Sequence, residues 1–210
     1  MIVMSNASIT EHVVVLHNVR DELFRAMLEI VEDDGHARLN YDRGTLEVMT
    51  PSGDHEICAR LIDKFLGAIS EHLNADVDHF GSTTLRIEHG SGEPDSCYYI
   101  EHAAAIRGNT DIDLALVPPP DLVVEIDLSH ERMEKRELYA RMGVPEFWRY
   151  DGAKIFAYRL TDGRYETSAT SVAFPWLEVA KIGEFLARRR AEGQLAILRS
   201  FRAYLGENAL

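Results

Sequence analysis

The stretch PPPDLVVEIDLSHERMEKRELYARMGVPEFWRYD, residues 118–151, decides how the chain folds. After a proline turn, Leu122, Val123, Val124 and Ile126 make a strand apolar enough to be buried. Next, Lys135, Leu138, Tyr139 and Met142 fall at i, i+3, i+4 and i+7, a single stripe facing a sheet on a helix over 130–142. Gly143 and Pro145 stop that helix, and EFWRYD opens another strand. The anomaly is acidic: Asp121, Glu125 and Asp127 sit within the apolar strand.

Side chains alternate along a strand, so Asp121, Val123, Glu125 and Asp127 share one face and Leu122, Val124 and Ile126 the other. Taking an ionised carboxylate out of water costs several kcal/mol even after relaxation, and adjacent like charges add to that cost. A cation must compensate, or the row must reach water. The earlier segment GEPDSCYYI alternates in the same way, with Asp95, Cys97 and Tyr99 on one side, and pairing it with the later strand brings Asp95 beside Glu125. Lys135 is aimed inward by its stripe. Two hard carboxylates and an ammonium can hold Mg²⁺ or Mn²⁺, position water and stabilise charge on a phosphate. The same residues also admit a purely structural account: Asp121 follows the turn, Asp127 caps the helix, and Lys135 pairs with Glu125 or Glu131.

Outward from this stretch, residues 20–33 carry Leu23, Met27 and Ile30 or Val31 at helical spacing. ARLNYDRGTLEVMTP reads as a hairpin turning at DRG, with Leu39, Tyr41, Leu46 and Val48 as its strand formers. SGDHEICARLIDKFLGAISEHL is a helix with Ser52 or Asp54 as cap and Ile57, Leu61, Phe65 and Ile69 as its apolar stripe. KIFAYRL and RYETSATSVAF extend an antiparallel group begun by EFWRYD, and two helices broken near Gly193 make a C-terminal segment at about 176–206. The expectation is one α/β domain over residues 1–210, a mixed β-sheet flanked by helices.

The 210 residues carry a net charge of −13, which gives no general pull toward nucleic acid or anionic membrane. What basic charge there is gathers late: residues 181–210 hold +3 and the remainder −16. ARRRAEG within that tail reads as a solvated helix end before it reads as a DNA contact. Cys58 and Cys97 have no metal or redox spacing and are expected as buried hydrophobes. There is no HExxH, GxGxxG or GxxxxGK[ST] pattern. The N-terminal stretch lacks a basic region before a long apolar run, and no segment approaches the roughly 20 apolar residues of a membrane span, so a cytoplasmic protein is expected.

A PD strand, a later strand bearing an acid, and a helical lysine together resemble the PD-(D/E)XK nuclease superfamily. More specifically the chain resembles the Uma two family of restriction endonucleases. The resemblance rests on YDRGTLEVMTPSGDHE, GSTTLRIEHGSGEPDSCYYIE, PPPDLVVEIDLS and EKRELYARMGVPEFWRYDG, in the expected order over roughly residues 40–152. It implies a restriction-endonuclease-like fold, with Asp95 as the motif aspartate and Glu125 as the second metal-binding acid. Asp127 stands where the superfamily's lysine usually does, adding to the metal-binding charge, and Lys135 looks like the migrated lysine. His55 or Glu56 matches a polar position of the family, His55 being preferred because it borders the apolar arc. Tyr139, on the stripe of Lys135, is a further supporting candidate. The implied function is Mg²⁺- or Mn²⁺-dependent hydrolysis of DNA phosphodiester bonds, with DNA as partner, no membrane, and a homodimer as one assembly. The competing reading, a catalytically silent binding or regulatory module, draws on the acidic charge, which repels duplex DNA unless a local basic groove intervenes.

Overall fold

The computed structural model describes residues 12–34, 37–81, 83–109, 112–128 and 133–208. Two sheets organise them. The first is antiparallel, in the order β1 (His12–Leu16), β3 (Thr45–Thr50), β2 (Arg38–Asp42), β6 (Gly90–Gly92), β5 (Leu85–Ile87). The second is mixed, in the order β11 (Arg164–Ser168), β10 (Ile155–Thr161), β9 (Glu146–Tyr150), β8 (Leu122–Ile126), β7 (Ser96–Tyr99), β4 (Asp78–Phe80). Within it β8 and β9 are parallel and the other pairs antiparallel. The helices are α1 (Asp21–Asp34), α2 (Gly53–Leu73), α3 (Ala103–Ile106), α4 (Arg136–Arg141), α5 (Val179–Ala187) and α6 (Gln194–Asn208). The expected α/β class is observed, with an antiparallel second sheet beside the mixed one.

The central strands β7, β8 and β9 of the mixed sheet are buried on both faces, as their nearly continuous apolar runs require, while β4, β10 and β11 are partly open to water. Leu122, Val124, Ile126, Tyr98 and Trp148 share one core with Leu61, Ile62, Phe65 and Ile69 of α2, with Ile182 and Leu186 of α5, whose Gly183 lies against Ile155 of β10, and with Phe201 of α6, which packs on Phe65. On the other face Val123, Cys97, Tyr99 and Phe147 meet Leu138, Tyr139 and Met142 of α4. Each such Leu, Ile or Phe contributes about 1.5–3 kcal/mol by leaving water. Cys58 and Cys97 are buried within these cores as free thiols.

The antiparallel sheet is built on the β2–β3 hairpin. Its turn holds Arg43 at φ 44° and Gly44 at φ 92°, both left-handed, the twist that two-residue hairpins favour. The outer face, Leu39, Tyr41 and Leu46, is covered by α1, whose Phe24 stacks on Tyr41 at 4.5 Å between ring centroids. The inner face carries Arg38, Asn40 and Glu47, all buried and all polar. α4 enters between the sheets where β6 has glycine: a Cβ on Gly90 would lie 2.9 Å from Leu138 Cδ1, and one on Gly92 would lie 3.0 Å from Tyr139 Cε1.

Several expectations shift in detail. The stripe of α1 that meets the core is Phe24, Met27, Leu28 and Val31, while Leu23 and Ile30 face water, because the helix is phased by the Phe24–Tyr41 stack. Ile57 is likewise exposed and Cys58 takes its inward place on α2. Ser52, rather than Asp54, caps α2, accepting from the His55 amide at 3.2 Å. The helix expected over 130–142 begins only at Arg136; residues 129–132 lie outside those described, and Met133, Glu134 and Lys135 are not helical. The physical reason is visible at Met133, whose amide donates to the Glu47 carboxylate at 2.9 Å instead of entering a helix.

Candidate functional site

The polar inner face of the β2–β3 hairpin meets the edge where β7 and β8 pair. Antiparallel register matches Ser96 with Val124 and Cys97 with Val123, so one further step sets Asp95 opposite Glu125. Asp95 and Glu125 are buried, as are Glu47, Arg38, Lys135, Asn40 and His55.

On the β8 side, Lys135 donates to Glu125 Oε2 at 2.8 Å and lies 3.1 Å from Glu47 Oε1. Tyr139 donates its hydroxyl to the other Glu125 oxygen. Burial, and the Glu125 charge after it, hold the Tyr139 hydroxyl well above the usual tyrosine range, so it stays a donor. Asn40 steadies the arrangement from behind, giving its amide to Glu47 at 3.1 Å and accepting from the Glu93 amide at 2.8 Å. Burial raises the Glu93 carboxyl, against the opposing effect of the hydrogen bond it accepts from the Leu39 amide.

On the β7 side, Asp95 accepts from Arg38 and from the amide of Ile126, the residue after Glu125. His55 Nε2 lies 2.7 Å from Asp95 Oδ1, and Arg38 reaches out to Glu56 at 2.9 Å. Thus the first turn of α2, fixed by the Ser52 cap, and strand β2 both address the Asp95 carboxylate.

Of the residues singled out in the sequence, Glu125, Lys135 and Tyr139 form one bonded group, and Asp95, His55 and Glu56 join a second through Arg38. Asp127 shares with Glu125 and Lys135 the lining of a cavity of about 200 Å³, where it accepts from Arg149 at 2.8 Å. Asp121 leaves the acidic row: it accepts from the Ile100 amide at 2.6 Å and lies 2.6 Å from His102 Nδ1. Sequence reading missed Arg38, Asn40 and Glu47. Their signal was present, since the alternation that sends Leu39, Tyr41 and Leu46 outward sends these three inward.

Among the described residues no three His, Cys, Asp or Glu side chains are gathered as a ready metal-binding group. The chemistry of the individual donors is still of the kind that a hard dication takes. Leaving His55 aside, three buried carboxylates, Glu47, Asp95 and Glu125, face two buried cations, Arg38 and Lys135, so negative charge is in excess. Carboxylate oxygen is also the ligand that Mg²⁺ and Mn²⁺ take.

The comparisons give the family: the model of Uma2, described as "Putative restriction endonuclease", matches residues 21–185, and the chain belongs to this family. A crystal structure of a "putative nuclease belonging to DUF820" from Anabaena variabilis ATCC 29413 is similar at 18% identity and a TM-score of 0.47, covering 78% of this chain and 90% of that one. No curated protein matches the chain. No helix among the described residues is long and apolar enough to cross a membrane.

Proposed function

We propose that the protein is a divalent-metal-dependent endonuclease that hydrolyses DNA phosphodiester bonds. The observation that carries this reading is the β7–β8 register that opposes Asp95 to Glu125, with the buried Lys135 ammonium 2.8 Å from Glu125. Asp95 and Glu125, with Asp127 beside them, would hold one Mg²⁺ or Mn²⁺, which supplies a Lewis acid for a phosphoryl oxygen and lowers the pKa of water. Lys135 orients the attacking water and meets charge developing on the phosphate. Tyr139 and Glu47 keep Glu125 and Lys135 in place, and Arg38 with His55 fixes the Asp95 carboxylate. The reading takes residues 1–210 as one cytoplasmic domain, with DNA as partner and a homodimer as the assembly to look for.

The test is cleavage of mixed DNA substrates with Mg²⁺ or Mn²⁺, wild type against Glu125→Gln. Removing this carboxylate charge should slow cleavage by on the order of 100-fold or more. Wild-type protein that binds Mn²⁺ without cutting any substrate would favour the second reading, a nuclease-fold binding module. That reading has its own observation: the acids are already satisfied by Arg38, Lys135 and Tyr139.

A further inference from the structure

We propose that Arg43, Arg136, Arg141 and Arg164 form an anchor for the phosphate backbone of DNA, adjoining the Glu125–Lys135 centre. The four guanidinium groups line one concavity of about 380 Å³, with Glu134 and Glu137 as its acidic lining. They converge from both sheets. Arg43 sits in the β2–β3 turn, Arg136 and Arg141 bound α4, and Arg164 follows the β10–β11 turn, where Asp162 (φ 48°) and Gly163 (φ 76°) fold the chain back tightly.

Three facts point to a polyanion. In a chain of net charge −13, this surface inverts the general sign, as an acidic protein needs in order to meet a nucleic-acid strand locally. The arginines are also open to solvent on the side away from their present partners. Arg141 grips both oxygens of Asp42, the nearer at 2.6 Å, Arg136 grips both oxygens of Glu134, the nearer at 2.7 Å, and Arg43 lies 3.4 Å from Asp42, with arginine side chains 30%, 46% and 58% exposed, so water and a competing phosphate can reach each guanidinium. Arg164 makes no ion pair among the described residues, and the guanidinium fork matches phosphate oxygens two at a time. Arg136 is further steadied over the Tyr158 ring, 5.6 Å from its centroid.

Position supplies the third fact. Glu134 lines both this concavity and the 200 Å³ cavity holding Glu125, Asp127 and Lys135, so the two are contiguous. The C-terminal arginines are placed otherwise. Arg189 is buried against Asp54 at 2.8 Å and Tyr150 at 2.9 Å, and Arg188 pairs with Glu192 at 2.6 Å. Arg188 and Arg189 thus fasten the C-terminal helices, and the arginines of the concavity carry the strand.

The inference rests on the nuclease reading for its choice of DNA, yet its test does not depend on cleavage. Binding of a fluorescein-labelled duplex of about 20 base pairs is followed by anisotropy in EDTA, from about 50 to about 200 mM salt. Arg43→Ala and Arg164→Ala should each reduce the slope of log affinity against log salt by about 0.9 and weaken binding about threefold or more at the low-salt end, with melting temperatures unchanged. Arg202→Ala, which removes an exposed arginine paired with Glu71, should leave the slope alone. Unchanged slopes in the first two variants, equal slope changes in all three, absence of duplex binding by the wild type, or binding confined to RNA would each overturn the proposal. Wild type that binds through these arginines but never cuts would remove the nuclease reading and leave the anchor standing.

Discussion

Lys135 sits within 3.1 Å of two carboxylates at once, and its removal leaves Glu47 and Glu125 buried without their shared cation. Stranded buried charge of this kind costs about 3–5 kcal/mol, so Lys135→Met should lower stability by that order in urea denaturation. Adding Glu47→Gln removes one of the stranded charges, and the double variant should recover part of the loss. A single-variant loss under about 1 kcal/mol, or no recovery in the double, would contradict the bridging geometry. Lost stability therefore does not by itself separate a structural lysine from a catalytic one. Lys135→Arg keeps the charge while changing where it points, so cleavage measured on a folded Lys135→Arg protein makes that separation.

At the scale of elements, what links the two sheets to the site is the passage of α4 past β6. Gly92 admits the Tyr139 ring, which donates to Glu125, so Gly92→Ala forces a rigid ring edge from 3.0 Å. Overpacking of this kind typically costs about 1–3 kcal/mol, and thermal melting should show it together with slower cleavage as Tyr139 is pushed from Glu125. An unchanged melting temperature would mean that the ring yields freely. The elements also show why some of the site could be read in advance. Asp95, Glu125 and Lys135 betrayed themselves as charges interrupting local apolar patterns. Arg38 and Glu47 interrupt the β2–β3 pattern just as plainly, but which hairpin face is core depends on α1 covering one side and α4 approaching the other, contacts remote in sequence. The phase of α1 is a similar case, since 23–27–30 and 24–27/28–31 both satisfy helical spacing and only the stack on Tyr41 chooses.

For the whole molecule, a partly exposed acid and a buried one, of opposite thermodynamic sign, hold its parts together, and pH separates them. Asp54, at the first turn of α2, is bonded by Arg189 from beyond α5, and that hydrogen bond holds its carboxyl below the usual aspartate range. Glu146, at the start of β9, receives the Trp148 indole at 2.6 Å and the Ser171 hydroxyl at 3.0 Å, yet burial outweighs them and raises its carboxyl. A depressed acid adds stability above its unfolded pKa and loses it as pH falls through the lower folded value. A raised acid does the reverse: its contribution is complete below the unfolded pKa of about 4.3 and is lost as pH rises through the folded one. Denaturation midpoints between about pH 3 and pH 7 should therefore diverge between two variants. Relative to Asp54→Asn, wild type should gain stability with rising pH, by no more than about 1 kcal/mol because Asp54 is partly exposed and screened. Relative to Glu146→Gln, wild type should lose stability over the same range, by about 1.4 kcal/mol for each unit by which its pKa is raised. Curves of the same slope for both variants would show that the Arg189 tether and the burial of Glu146 do not act with opposite sign.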